Sequence, residues 1–147
     1  AGGRGDGRES DQLRSPNGLC VDEDQTVYIA DFWNHRIMAW KADATTGEVL
    51  AGGVGEGQRL DQLNGPTDVI VDRQTETLLI CDRENRRVMR WPRRSSSSLP
   101  RQGDIVIDNI NCWGLTLDTE GALYVSDERR HEVRRYDKGG DKTGTLV

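Results

Sequence analysis

The sequence predicts an all-β fold: β-propeller blades, each of four antiparallel strands, with three blades per chain. A motif of an apolar run ending in Asp, a polar turn and a second apolar run ending in Asp occurs three times. Its first Asp recurs after 50 and then 46 residues, at Asp22, Asp72 and Asp118. A period near this length with several short strands per unit is typical of propeller blades. No window has apolar residues at helical spacing over three turns, whereas β-branched and aromatic runs are bounded by turn residues.

Each unit supplies about four strands, and in the first unit these are expected near residues 18–22, 27–31, 36–41 and 48–52. The first two are almost continuously apolar, which is typical of strands covered on both faces, here by neighbouring blades. The third and fourth are more polar and are expected toward the rim. An aromatic residue recurs in the third strand and is predicted to lie in the blade core, at Trp40, Trp91 and Tyr136.

The repeats divide the chain into one domain of three blades. We expect blade 1 at residues 13–62, blade 2 at 63–109, and blade 3 at 110–147 together with 1–12. The glycine-rich connection that follows blade 1 recurs at the start of the chain. Between blades 2 and 3 it is replaced by a polar, serine-rich loop at 95–103.

Three blades do not close a propeller, which needs roughly four to eight. Joining the end of the chain to its start regenerates an outer strand. We therefore expect a six-bladed homodimer in which the ends of two chains meet, and we expect the chain to be an excised or engineered piece of a longer propeller. The predicted junction residues are Ala1, Gly2, Gly3, Thr145, Leu146 and Val147.

Composition excludes several classes of protein. The net charge of −5 argues against nucleic-acid binding through bulk charge. No run of about 18 apolar residues could span a membrane, and no signal peptide is visible in this chain, so we expect no membrane partner and leave the compartment open. Three cysteines, Cys20, Cys81 and Cys112, are too few for a disulfide framework; at most one intrachain bridge can form, and we expect all three to be free and packed.

The motif in the first unit closely resembles the NHL repeat. Residues 16–22 read Pro-Asn-Gly-Leu-Cys-Val-Asp, and residues 27–37 read Val-Tyr-Ile-Ala-Asp-Phe-Trp-Asn-His-Arg-Ile. The second unit departs from the family pattern in having Asp68 where Gly is usual, and the third lacks the Pro and has Glu132 where Arg is expected. The resemblance implies a propeller, commonly six-bladed, of a family that mostly binds proteins, peptides, RNA or small ligands. A minority of similar propellers, such as the amidating lyases, are enzymes.

Two sets of motif residues are predicted to be structural. In the first two units a carboxylate and a guanidinium lie five residues apart across a tight turn, where they can pair bidentately and brace the hairpin. The pairs are Asp31 with Arg36 and Asp82 with Arg87.

The third unit must be braced differently. It has Asp127 but also Glu132, so Arg130 is the nearest alternative partner. The first Asp of each motif, at Asp22, Asp72 and Asp118, is expected to accept backbone N–H groups of the following turn. One such carboxylate per blade does not establish an oxygen cage, and the two histidines do not make a zinc site, so we predict no metal, no cofactor and no catalytic residue.

The turn between the second and third strands of each blade should lie on one propeller face. Aromatic residues beside Arg are typical of protein-binding hot spots and also of base-stacking surfaces. Trp113 stands where Pro is expected and is a candidate to line the central channel. The candidate binding surface comprises Phe32, Trp33, His35, Arg83, Arg86, Trp113, Arg129, Arg130 and His131.

The sequence thus favours a non-enzymatic NHL-type binding or scaffold module whose partners are a second copy of the chain and a protein or peptide ligand. One alternative, single-stranded RNA binding, is not favoured and requires unpaired arginines on one face, namely Arg83, Arg86, Arg87, Arg129 and Arg130. The other alternative, a fragment of a propeller lyase or hydrolase, requires a metal at the channel with converging His and carboxylate groups.

Overall fold

The computed structural model describes residues 1–94, 101–140 and 142–147, and its strands form three separate four-stranded antiparallel sheets. Within each sheet the strands follow chain order, so each sheet is one blade. The first blade is β1 (Pro16–Val21), β2 (Val27–Asp31), β3 (Arg36–Trp40) and β4 (Glu48–Gly52). The second is β5 (Pro66–Asp72), β6 (Thr77–Asp82), β7 (Arg87–Pro92) and β8 (Asp104–Asp108). The third is β9 (Cys112–Leu117), β10 (Leu123–Asp127), β11 (Glu132–Tyr136) and β12 (Thr145–Leu146).

The predicted all-β class and the three four-stranded blades are therefore confirmed. The four strands of blade 1 begin and end within two residues of the predicted ranges. The predicted serine-rich loop at 95–103 lies mostly outside the described residues, and its last three residues lead into β8. In the described part of the chain no helix is long and apolar enough to cross a membrane.

Blades 1 and 2 pack face to face around one apolar core. Ile37 and Ala51 of blade 1 meet Val69 and Met89 of blade 2 in this core, and all four are buried. Leu63, from the connection between the two blades, is fully buried among them. Each blade alone is a thin sheet, so this contact supplies much of the core that a single blade lacks.

Blades 2 and 3 share a second core, and a disulfide crosses it. Cys81 of β6 and Cys112 of β9 are bonded, with their Cα atoms 5.4 Å apart. The expectation that all three cysteines are free was therefore wrong, because the blade contact brings two cysteines that are distant in sequence within bonding reach. Cys20 is the free thiol, and burial, followed by the charge of Asp68, raises its pKa to about 12.

The prediction for the recurrent aromatic residues is confirmed, since Trp40, Trp91 and Tyr136 are buried. Each lies against a glycine just before the outer strand: a Cβ atom at Gly47 or Gly103 would lie 2.6 or 2.5 Å from the indole. No side chain fits at that distance, so the glycines are required by the close approach of the ring.

Strand burial in blade 1 differs from the prediction. β3, expected to be more polar and near the rim, is buried along its whole length, whereas β1 exposes Leu19 and Val21. β3 is an interior strand with apolar residues on both faces. In the described residues, no further blade covers the outer side of β1.

Candidate functional site

The turns that carry the candidate surface share one backbone geometry. In blades 1 and 2 a short 3₁₀ turn (Phe32–Asn34 and Arg83–Asn85) follows the second strand. The next residue adopts the left-handed conformation, at His35 (φ 52°) and Arg86 (φ 54°), and His131 of blade 3 does the same (φ 54°). The repeat therefore places these three side chains at equivalent positions.

A buried ion pair holds the turn of blade 1. The Nε of Arg36 donates to Asp31 Oδ2 at 2.7 Å, and the Asn34 amide donates to the same oxygen at 2.8 Å. The other Arg36 nitrogens donate to backbone carbonyls of residues 8, 9 and 12. The pair is therefore not bidentate as expected, because the remaining guanidinium nitrogens bind the N-terminal segment.

Blade 2 repeats this arrangement. Arg87 donates to Asp82 at 2.7 Å and to the carbonyls of residues 58, 59 and 62. Asn85 donates both to Asp82 and to the carbonyl of Gly57. Burial raises the pKa of the Asp82 carboxyl even though these donors oppose the shift. In both blades the Asn–x–Arg sequence thus fastens the glycine-rich connection that precedes the blade.

In the described part of blade 3 there is no such clamp. Glu132 stands in place of the Arg and accepts from Arg134 Nε at 2.6 Å. Asp127 accepts the backbone N–H groups of Arg129 and Arg130, and the Arg130 side chain lies 3.8 Å away. The second carboxylate oxygen of Asp127 is buried with no hydrogen-bond partner among the residues that the structure describes.

The first Asp of each motif accepts donors from its own turn. Asp22 Oδ1 accepts the N–H groups of Asp24 and Thr26, and the Tyr28 hydroxyl donates to Oδ2 at 2.8 Å. Burial acts to raise the pKa of Asp22, but these donors and Arg93 outweigh it and lower the pKa.

Asp72 and Asp118 likewise accept the backbone N–H group of the residue two positions further along the chain. Across residues 1–94, 101–140 and 142–147, no cluster of three or more His, Cys, Asp or Glu could hold a metal ion.

The nine candidate surface residues differ in their contacts. Trp33 is 57% exposed and packs edge-on against Phe32, with ring centroids 5.0 Å apart. Trp113 is 44% exposed and lies beneath the Arg83 guanidinium, which is 5.2 Å from the ring centroid. Arg83 also donates to Glu128 of blade 3 at 2.7 Å.

The other candidates differ in exposure. His35 is largely buried: its Nδ1 accepts the Gly65 N–H at 3.0 Å, and its Nε2 lies 3.5 Å from Glu56. Arg86 donates to Asn109. Arg129, Arg130 and His131 are exposed. His35 thus links blade 1 to the connection that follows it through these contacts, and it is not part of an open surface.

An open cavity of about 710 Å³ lies at the free side of blade 3. The sequence pointed to five members of its lining, Trp113, Asp127, His131, Leu146 and Val147, but missed others. Alignment of the repeats could have found two of them, because Ser126 and Val133 correspond to positions that are buried in blade 1. The lining residues are Trp113, Ser126, Asp127, Glu128, His131, Glu132, Val133, Leu146 and Val147.

A second cavity, of about 740 Å³, lies between the outer parts of blades 1 and 2. Arg93 lines it, with its side chain 99% buried and its Nη2 2.9 Å from Glu23 and 3.5 Å from Glu76. Sequence reasoning missed this arginine, because its buried position depends on residues of two blades.

The predicted junction residues lie on different blades of the chain. Gly2 lies against Leu13 on blade 1. Thr145 and Leu146 form β12, which pairs with β11, and the Val147 N–H donates to the Val133 carbonyl at 3.1 Å. The meeting of these two ends in a dimer stays a prediction.

Comparison with known proteins identifies the repeat and the fold. Residues 13–38 match the NHL repeat model. The chain is similar to a solved streptogramin B lyase (12% identity, TM-score 0.63, covering 95% of this chain and 40% of that chain). It is also similar to virginiamycin B lyase from Staphylococcus aureus (11% identity, TM-score 0.62, covering 95% of this chain and 42% of that chain). A comparison with curated protein sequences finds no match.

These structural neighbours are propellers, and at such low identity the similarity establishes the fold alone. The chain spans about two fifths of the length of the solved structures it matches.

Proposed function

We propose that this chain, which carries an NHL repeat and has the propeller fold, is a non-enzymatic binding and scaffold module that assembles into a six-bladed dimer. The observation that carries the proposal is the apolar outer face of blade 1, which the rest of the described chain covers only in part. Its centre, at Ile29 and Met38, is buried with Leu13 packed against it, whereas both of its edges are exposed. Leu19, 61% exposed, and Val21 lie at the β1 edge of this face, and the exposed Val49 lies at its β4 edge.

Strand register aligns these side chains on one face. Leu19 lies opposite Ile29, which lies opposite Met38, which in turn lies opposite Val49. The equivalent face of blade 2 packs against blade 1. There Val69 replaces Leu19 and is fully buried. The outer face of blade 1 therefore has the composition of a blade-to-blade contact but lacks a neighbouring blade in the described chain.

The free side of blade 3 is apolar as well, since Val133, Leu146 and Val147 are exposed. Uncovered apolar sheet faces at both ends of an arc favour association, and a closed ring removes both of them from water. Two copies with three blades each give six, within the range of four to eight blades that close a propeller.

A protein or peptide is the ligand that the turn surface fits best. Trp33 and the Trp113–Arg83 pair combine an exposed indole with a cation, as hot spots do. RNA is less well supported, because three of the five arginines it would need lie against carboxylates: Arg83 at Glu128, Arg87 at Asp82 and Arg130 at Asp127. The lyases among the structural neighbours share the fold, which gives no support for lyase activity in this chain.

Light scattering tests the assembly. We expect twice the 16.5 kDa of one chain for the wild type and 16.5 kDa for Leu19→Asp. The control is Val54→Asp, because Val54 is similarly exposed but lies in the connection after blade 1. A wild type of 16.5 kDa with an ordered β-sheet circular dichroism spectrum would contradict the proposal.

A further inference from the structure

We propose that the cavity at the free side of blade 3 is the receptor for residues 2–15 of a second copy, and that Leu13 of that copy packs against Val133 inside it. This inference rests on the proposed dimer and specifies its contact. Within each chain, the same contact already exists between blades 1 and 2, and it serves as the template.

Residues 2–13, called here the N-terminal segment, have the conformation of the internal connection at 52–63. Asp6 bridges to Leu13 in parallel fashion, as Glu56 does to Leu63. The backbone angle φ is 65° at Gly2 and 66° at Gly52.

Side-chain contacts repeat in the same way. The Gln12 side chain accepts from Glu9 N, and Gln62 accepts from Arg59 N in the same way. Each side chain also donates to a backbone carbonyl near the start of its own segment, Gln12 to Arg4 and Gln62 to Glu56. The N-terminal segment is thus a preformed copy of an element that joins two blades.

The internal connection contacts blades on both of its sides. Arg87 of blade 2 binds its carbonyl groups, and Leu63 is fully buried in the core that includes Ala30 and Ile37 of blade 1. Next along the chain, the Gly65 N–H donates to His35 of blade 1. Bonds to both neighbours therefore fix the connection between the blades.

The N-terminal segment has only the first of these neighbours. Arg36 of blade 1 binds its carbonyls as Arg87 binds those of the connection. Leu13, however, is only partly buried, whereas Leu63 is fully buried. The described chain offers no second blade on that side of the segment.

Blade 3 offers the second neighbour that the N-terminal segment lacks within its own chain. Val133 pairs with Ser126, as Ile37 pairs with Ala30 in blade 1, and both line the open cavity. His131 has the left-handed backbone of His35 and lines the same cavity. The cavity thus presents the surface against which Leu63 packs in the template.

The partner's side of the contact matches as well. Ser15 has a φ of 51°, close to the 57° of Gly65, so its N–H can be presented to His131 as Gly65 is to His35. Asp6 takes the place of Glu56, whose carboxylate lies 3.5 Å from His35. One chain therefore bears both the segment and its receptor, on opposite ends of the arc, which is the arrangement that closes a two-fold dimer of this chain.

Cross-linking tests which residues of the two copies meet. In a Cys20→Ser background, the Asp6→Cys/His131→Cys double variant is treated with a short bismaleimide without reductant, so that the Cys81–Cys112 disulfide stays intact. We expect a band at twice the chain mass on a denaturing gel, and no such band from either single variant.

A dimer by light scattering that gives no cross-link would overturn the inference and leave the proposed assembly standing. A monomer would overturn both. As a second readout, Val133→Arg fills the cavity at an exposed position and should raise the dimer Kd at least about tenfold. A Kd within about twofold of wild type in a correctly folded variant would also overturn the inference.

Discussion

A single arginine decides how each of the first two blades is joined to the chain before it. Arg36 is buried, pairs with the fully buried Asp31, and uses its other nitrogens on backbone carbonyls of residues 8, 9 and 12. Among the described residues, one carboxylate and several carbonyl dipoles compensate the charge of Arg36. Removal of the guanidinium therefore leaves Asp31 buried with fewer hydrogen-bond donors.

The first prediction concerns this residue. Arg36→Met should lower the free energy of unfolding by about 3–5 kcal/mol, the usual cost of breaking a buried ion pair. Hydrogen exchange at Glu9 and Gln12 should also become faster, because the segment that Arg36 holds then opens more often and breaks the hydrogen bonds of their N–H groups. Urea denaturation and exchange mass spectrometry provide the two measurements.

Arg59→Met is the matched control. Arg59 pairs with Asp61 at 2.7 Å but is exposed to solvent, so its loss should change stability by no more than about 1 kcal/mol. Equal effects of the two substitutions would contradict the assignment of Arg36 as a buried clamp.

At the scale of elements, blades 2 and 3 are joined by a covalent bond that blades 1 and 2 lack. The Cys81–Cys112 disulfide links β6 to β9 and closes a loop with a sequence separation of 31 residues. The loop includes the long connection between the two blades. A bond across such a loop restricts the unfolded chain and so stabilises the folded one.

The second prediction follows from that loop. Cys81→Ala/Cys112→Ala should lower the free energy of unfolding by about 3–4 kcal/mol in the loop-entropy account, and reductant should have a similar effect on the wild type. Guanidinium denaturation with and without reductant measures both. Cys20→Ala should respond to reductant as the wild type does; a reductant effect that persists in the double variant would contradict the prediction.

At the scale of the molecule, the chain is an arc of three blades with two uncovered apolar ends. Its low hydrophobic content, 34% of residues, fits thin sheets that obtain their core from their neighbours. A dimer would provide that neighbour for blade 1 and for blade 3 at once. Stability should then depend on protein concentration, because association favours the folded state by mass action.

The third prediction is that the thermal unfolding midpoint rises with protein concentration. Each tenfold increase adds about 1.4 kcal/mol per dimer to the stability of the assembled state. Leu19→Asp should show no such dependence. Differential scanning calorimetry over a hundredfold concentration range gives the answer, and a constant wild-type midpoint would argue against the dimer.

The sequence by itself determined the class of fold, the number of blades and the blade 1 strand boundaries to within two residues. It could do so because the period of the repeat and the alternation of short apolar runs with polar turns are local properties. The burial of Trp40, Trp91 and Tyr136 followed from the same repetition.

Only the tertiary structure decided which side chains meet across blades. Three contacts join residues that are distant in sequence: the Cys81–Cys112 bond, the hydrogen bond of Gly65 to the buried His35, and the ion pairs of the buried Arg93. Such contacts depend on how one sheet stacks on the next, and no local pattern contains that geometry. The cavity beside Val133 and the exposed face at Leu19 arise for the same reason, because a blade face is identified as uncovered only when the position of its neighbours is known.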